Sequence, residues 1–316
     1  MVSFEDIEHA RKCIKGHIKT TPLHHSPHLS EMIQGSVYLK LENEQITGSF
    51  KVRGALNRLM TLTKEQASRG VITASTGNHG LGTAYAAKKL GISAKVVFPK
   101  EASRVKMEKM QKAGVEVIQD VGYADIESYA RRLAKERSLT YVSPYNDPMI
   151  VAGAGTTGLE IVEQLGNIDA VIVPIGGGGL ISGIATVVKV MSPHTEMIGV
   201  QSEVSPEVYE SWKAGHWVDA EESDSVAQGL MGGVEPDSIT LDIIQELLDR
   251  IVLVKESSII EAMRVLYENE NLIIEGAGAA STAVILERAD EFQGKRLVAV
   301  VTGGNISEDE LVTLLY

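Results

Sequence analysis

Along most of the chain, short runs of consecutive apolar residues alternate with longer stretches whose apolar positions recur every three or four residues. Runs such as AKVVF (94–98), DAVIV (169–173) and RLVAVV (296–301) are apolar on nearly every successive position, the pattern of strands covered on both faces. On this pattern strands are predicted at 37–42, 70–75, 94–98, 115–119, 140–143, 170–174, 197–201, 251–254 and 297–301. Between them, DIESYARRLAKERS (125–138) and SSIIEAMRVLYENEN (257–271) carry apolar residues at helical spacing. The alternation predicts an α/β architecture with mainly parallel sheets and helices on both sides. In open sheets of this kind ligands bind beyond the carboxyl ends of strands, so the loops after strands are where chemistry is expected.

Composition narrows the setting. A chain of 316 residues exceeds the size at which one core keeps growing, which favours two lobes. With 44% apolar and 23% charged residues it has the balance of a soluble globular protein, and its apolar runs are too short to span a bilayer. The start, MVSFEDIEHARKC, lacks an apolar signal core and reads as an amphipathic helix. Cys13 is the only cysteine, which excludes an intrachain disulfide and a cysteine-based metal cluster. Together these features favour a cytoplasmic location. A net charge of −12 without any basic block argues against nucleic acid or an anionic membrane as partner. The acidic stretch HWVDAEESDS (216–225) is expected to be a solvated surface loop.

Three strand-to-helix loops and one lysine carry candidate chemistry. In VPIGGGGLISG a predicted strand ends at Pro174, Gly176, Gly177, Gly178 and Gly179 follow, and a helix starts near Leu180. Four glycines let successive backbone N–H groups form a concave nest at a helix N-terminus, a cradle for phosphate. A flexible glycine turn is the plainer alternative. The chain has no G-x-x-x-x-G-K-[ST] loop, and its G-x-G-x-x-G at 153–158 is followed by a strand without the acid a ribose needs. That second motif is expected to be a glycine-rich loop packing a helix closely against a sheet. The loop after 70–75 brings Ser75, Thr76, Gly77, Asn78 and His79 to a helix opening, where hydroxyls, an amide and free N–H groups suit a carboxylate. An ordinary capped helix start would look similar. The last predicted strand ends in Thr302-Gly303-Gly304-Asn305, ahead of a helix capped by Ser307. Lys51, in TGSFKVRGA, sits between Phe50 and Val52, whereas lysines are rarely buried without a partner. A lysine amine, a phosphate nest, a carboxylate grip and a hydroxyl after the last strand are what pyridoxal phosphate requires.

TGSFKVRGA, ASTGNHG, VPIGGGGLISG, EGAGAAS and TGGN resemble, in order and spacing, the fold-type II pyridoxal-phosphate enzymes, nearest the serine/threonine dehydratases and serine racemases. The resemblance runs from about residue 20 to the C-terminus. It implies a two-domain fold of the tryptophan synthase β type, with residues 1–69 and 148–316 as the large cofactor-binding domain and 70–147 as a small mobile one. It implies that Lys51 is the Schiff-base lysine, that Phe50 packs on the cofactor ring, and that Asn78 bonds the ring hydroxyl. Gly176, Gly177, Gly178, Gly179 and Leu180 would form the phosphate cup. Thr302 would face the pyridine nitrogen, and a hydroxyl there leaves the ring a mild electron sink. Ser75, Thr76, Gly77, Asn78 and His79 would hold the substrate carboxylate, with Glu275 close by.

The reaction implied is conversion of a β-hydroxy amino acid such as L-threonine or L-serine to a 2-oxo acid and ammonia, with Lys51 taking the α-proton. Thr76 stands where related dehydratases have alanine and serine racemases have their second base, so racemisation is an alternative. STGNHG also resembles dehydratase-like proteins of ectoine catabolism, which leaves a hydroxyaspartate or a diamino acid open as substrate. The usual ADG stretch reads Ala227-Gln228-Gly229. The family's divalent-cation site often begins with a glutamate; Gln201 stands there, with Glu207 at a later ligand position, which weakens the case for a cation, and no metal ligand is assigned. The chain ends at Tyr316, which leaves no room for the regulatory domain of biosynthetic threonine deaminases. The family suggests a homodimer or homotetramer. His24, His25 and His216 are expected at the surface.

Overall fold

Two sheets organise the molecule, a computed structural model that describes residues 1–75, 77–100, 104–122 and 126–316, with the backbone alone at 104–106 and 109. The strands are β1 (Leu23–Ser26), β2 (Ser36–Leu41), β3 (Val71–Ala74), β4 (Ala94–Pro99), β5 (Glu116–Val121), β6 (Thr140–Tyr141), β7 (Ala170–Pro174), β8 (Glu196–Ser202), β9 (Arg250–Val254) and β10 (Arg296–Val301). A six-stranded sheet has the order β1-β2-β10-β7-β8-β9, parallel except for the edge strand β1. A four-stranded sheet, β5-β4-β3-β6, is parallel throughout and drawn from residues 71–141. The expected α/β architecture with mainly parallel sheets is the one observed.

The consecutive apolar residues have a direct use in the large sheet. Along β10, Leu297, Ala299 and Val301 enter one core while Val298 and Val300 enter the other, all fully buried. β7 divides in the same way, Ala170 and Ile172 against Val171 and Val173. Burying such a side chain is worth about 1.5–3 kcal/mol, so a polar residue on either face would be costly.

Three sequence expectations change. The strand predicted at 140–143 pairs only over Thr140–Tyr141, and Pro144, which lacks an N–H, follows shortly. β1 was invisible to the pattern because only Ser26 of its LHHS is buried. The G-x-G-x-x-G lies not in a loop against a sheet but inside the Pro148–Gln164 helix, where it packs on other helices. A Cβ on Gly153 would lie 2.6 Å from the Arg53 carbonyl oxygen, and one on Gly158 would lie 3.0 Å from Ile184 Cα. These glycines let the Lys51–Met60 and Gly179–Met191 helices approach backbone to backbone.

A buried ionic cluster fixes the Lys51–Met60 helix. Arg53 is fully buried; its Nε and Nη2 donate to Glu42 at 2.8 Å, and Nη1 and Nη2 donate to Glu160 at 2.7 and 2.9 Å. Lys40 Nζ donates to Glu160 at 2.7 Å. The N-terminal stretch forms the expected helix, Phe4–Ile14, with a capping box at Ser3. Among the described residues no helix is long and apolar enough to cross a membrane.

Candidate active site

The loops after β3, β6, β7 and β10 line one cleft of about 1910 Å³. It is thus built at the carboxyl ends of strands from both sheets, as parallel α/β topology requires. Lys51 opens its helix directly after Phe50, and two contacts with the end of β10 hold that junction: Phe50 N–H donates to the Thr302 carbonyl at 3.1 Å, and Ser49 bridges Gly303. Gly48, at φ +74°, makes the preceding turn, and its carbonyl accepts from Gly304 N–H at 3.0 Å.

Lys51 Nζ donates to the Pro144 carbonyl at 3.1 Å and lies 5.2 Å from the Phe50 ring centroid. Desolvation of the amine outweighs the opposing fields of Glu127 and Glu275 and lowers its pKa to about 8. His79 is buried and donates Nε2–H to the Val142 carbonyl at 3.2 Å, since a carbonyl can only accept. Burial, then the nearby Lys51 cation, lowers its pKa to about 3, so the ring is neutral. The bonded nitrogen is committed to holding the loop.

Asn78 begins the Asn78–Leu90 helix with its amide oriented from both ends. Its Nδ2 donates to Glu275 Oε1 at 2.6 Å, and its Oδ1 accepts from Asn305 Nδ2 at 2.6 Å. Ser75 Oγ accepts from Gly77 N–H at 3.2 Å, leaving the hydroxyl hydrogen available to the cleft. Thr76 lies outside the described residues.

After β7 the glycine turn runs from Gly176 to Gly179, with Gly177 and Gly179 against Tyr145. A Cβ on Gly177 would sit 2.2 Å from Tyr145 Cγ, and Gly178 adopts φ +81°. Thr240 Oγ1 donates to the Gly177 carbonyl at 2.8 Å. The following helix, Gly179–Met191, has no side-chain cap, so its first N–H groups face the cleft without a competing side chain. Leu180 is buried beneath the turn. Thr302 is buried at the end of β10 and donates to the Ala277 carbonyl at 3.3 Å.

The cleft also contains residues that the motif reading passed over. Tyr145 and Pro144 follow β6, and the rule that ligands bind after strands would have found them. Glu127 and Arg131 lie four apart on the Ile126–Glu136 helix, a spacing that puts both on one face. Burial, followed by the neighbouring Glu235, pushes the Glu127 carboxyl up. Burial likewise raises the Tyr145 phenol. The 216–225 stretch is the largely exposed loop expected, and it also forms part of the cleft wall, with Trp217 Nε1 donating to the Val234 carbonyl at 2.9 Å.

Gln201 and Glu207 face protein donors. Gln201 Oε1 accepts from Tyr209 N–H at 2.8 Å, and Glu207 Oε1 accepts from Val234 N–H at 3.0 Å and Trp217 Nε1 at 3.1 Å. Among the described residues no group of three or more His, Cys, Asp or Glu side chains could hold a metal ion. His24 and His25 sit on β1, and His216 is exposed; none lines the cleft.

Residues 14–303 match the family model for pyridoxal-phosphate dependent enzymes. The chain belongs to that family. Among its relatives, a catabolic L-threonine dehydratase of Staphylococcus aureus is 43% identical over 311 residues, 97% of this chain and 90% of the relative. An L-threonine ammonia-lyase of Thermotoga maritima is 40% identical over 308 residues, 97% and 76% of the two chains. The solved serine racemase of Dictyostelium discoideum superposes with a TM-score of 0.88 at 35% identity, covering 97% of this chain and 99% of that one. The fold-type II assignment and the pyridoxal-phosphate cofactor therefore hold. The cleft fits that cofactor by its own chemistry: a desolvated lysine amine for an aldehyde, and a side-chain-free glycine turn with uncapped N–H groups for a phosphate.

Proposed function

We propose that this pyridoxal-phosphate enzyme is an ammonia-lyase that converts L-threonine, and L-serine as the smaller alternative, to the 2-oxo acid and ammonia. The observation that carries the reading is Lys51: a lysine amine with a pKa lowered to about 8, opening a helix stitched to the end of β10, in the same cleft as the glycine turn. The named activities of relatives at 40–43% identity point the same way.

In this reading Lys51 anchors the cofactor, Gly176 to Gly179 with Leu180 hold its phosphate, and Phe50, Asn78 and Thr302 surround its ring. When bound, the cofactor supplies an electron sink for the negative charge left at the substrate α-carbon. Ser75, Gly77, Asn78 and the helix opening at His79 grip the substrate carboxylate, with Thr76 assigned to the same loop. Lys51 Nζ, neutral in a dry cleft, would take the proton from Cα. That proton and the β-hydroxyl leave as water. The released enamine takes up water and loses ammonia, which gives 2-oxobutanoate from threonine and pyruvate from serine.

Residues 70–147 act as a small domain that closes over the substrate and excludes water, with 1–69 and 148–316 as the fixed part. The enzyme works as a cytoplasmic homo-oligomer. Racemisation is the second reading, supported by the likeness to a serine racemase. The test is to supply the cofactor-loaded enzyme with L-threonine, L-serine, L-threo-3-hydroxyaspartate and a hydroxylated diamino acid, assaying 2-oxo acid and the D-isomers. Oxo acid from threonine or serine supports the lyase. D-isomers without oxo acid would replace it with a racemase, and release from only one of the other two substrates would move the assignment to that compound.

A further inference from the structure

At the mouth of the cleft one ion pair joins parts of the chain that are far apart in sequence. Arg131 lies on the Ile126–Glu136 helix, which packs on the four-stranded sheet; Glu235 lies on the segment before the Ile239–Leu247 helix. Their side chains pair directly, both are partly shielded, and both line the cleft.

The pair is braced on each side. The Arg131 guanidinium stacks on the Tyr141 ring with its centre 4.2 Å from the centroid. The second Glu235 carboxylate oxygen accepts from Asn146 Nδ2 at 2.5 Å, and Glu235 N–H donates to the Tyr145 hydroxyl at 3.0 Å. Asn146 in turn accepts from Ile239 N–H at 3.1 Å. Tyr145 is also the residue whose ring fills the space beside Gly177. The contact therefore connects the 126–136 helix, the loop after β6, the 231–238 segment and the glycine turn. A lone surface ion pair contributes little, but a pair stacked and hydrogen-bonded on both members has far less freedom to lose when it forms.

We infer that Arg131 and Glu235 form the latch that keeps the 70–147 segment closed over the cleft. Arg131 is a positioning residue: it acts through Glu235 and the Tyr145–glycine contact, not on the reacting atoms. The inference rests on the closure proposed above. In the latched state the mouth narrows over Lys51, and substrate entry and product exit require the pair to part.

The experiment combines kinetics with hydrogen exchange, using Arg131→Met, Glu235→Gln and the double variant of the cofactor-loaded enzyme, each first checked for native circular dichroism. If the closed fraction falls from near one to about a tenth, the apparent substrate KM rises about tenfold, while kcat changes much less. The double variant is no worse than either single, because the same contact is lost. Added NaCl raises KM in the wild type and not in the variants, since a pair at the mouth is open to screening. Backbone amides of 126–136 and 231–238 exchange faster in both singles. A fall in kcat at constant KM, additive losses in the double variant, or unchanged exchange would each overturn the latch. Exchange needs no turnover: a coupled exchange signature in a protein that releases no oxo acid from any amino acid would uphold the latch and overturn the lyase reading.

Discussion

The Lys51 amine should titrate far below an ordinary lysine, and this can be measured without any reaction. Desolvation lowers its pKa from 10.5 to about 8, with Glu127 and then Glu275 opposing the shift. At pH 7 a group with a pKa of about 8 is about 9% neutral, against about 0.03% at 10.5, a gain of about 300-fold in reactive amine. The assay is competitive labelling of the cofactor-free protein with acetic anhydride at a series of pH values, reading the Lys51 peptide by mass spectrometry. The midpoint should lie near 8, and in Glu127→Gln it should fall further, because the largest field favouring the cation is gone. Folding should respond in the same window. The unfolded chain holds more protons than the native one between about pH 8 and 10.5, so stability rises with pH across that range. Below pH 8 the full penalty, about 3 kcal/mol, is in place. A labelling midpoint near 10.5, or one that moves upward in Glu127→Gln, would refute the argument.

Three further substitutions probe the parts that hold the site. Gly177→Ala puts a Cβ 2.2 Å from Tyr145 Cγ, so the ring or the turn must move; cofactor affinity, followed by fluorescence titration, should drop by the equivalent of about 1–3 kcal/mol. Arg53→Met leaves Glu42 and Glu160 buried without their main cation and should cost about 3–5 kcal/mol in urea unfolding; an unchanged midpoint would show that the cluster is dispensable. Asn78→Asp sets a carboxylate at the position now 2.6 Å from Glu275 Oε1, a repulsion on the order of 6 kcal/mol at an effective dielectric of about 20. Cofactor retention on gel filtration should fall in that variant and recover when Glu275→Gln is added.

What could be read from the chain follows from how each feature is encoded. β7 and β10 are written in consecutive apolar residues because both of their faces are covered, and the glycine turn after β7 is explicit in four letters. β1 leaves no such trace: it is an edge strand whose LHHS is mostly exposed. The glycines at 153–158 misled because helix-on-helix contact and a loop packing a helix on a sheet demand the same residue, and only the neighbours at Arg53, Gly54 and Ile184 tell them apart. Asn78 and Thr302 were legible through motifs beside strands, and Lys51 through its apolar neighbours in TGSFKVRGA. Arg131 and Glu235 were not, because their meaning lies in a contact between residues 104 positions apart. The 216–225 stretch was legible as exposed chain from its charges, but its place on the cleft wall, where Trp217 bonds the Val234 carbonyl, was not.

The most direct measurement is 2-oxobutanoate release from L-threonine by the wild-type enzyme and by Lys51→Ala, both supplied with pyridoxal phosphate at the same concentration. The account predicts steady release by the wild type and its loss in the variant, with the native fold retained by circular dichroism. Undiminished release by Lys51→Ala would contradict the assignment of this lysine as cofactor anchor and proton acceptor.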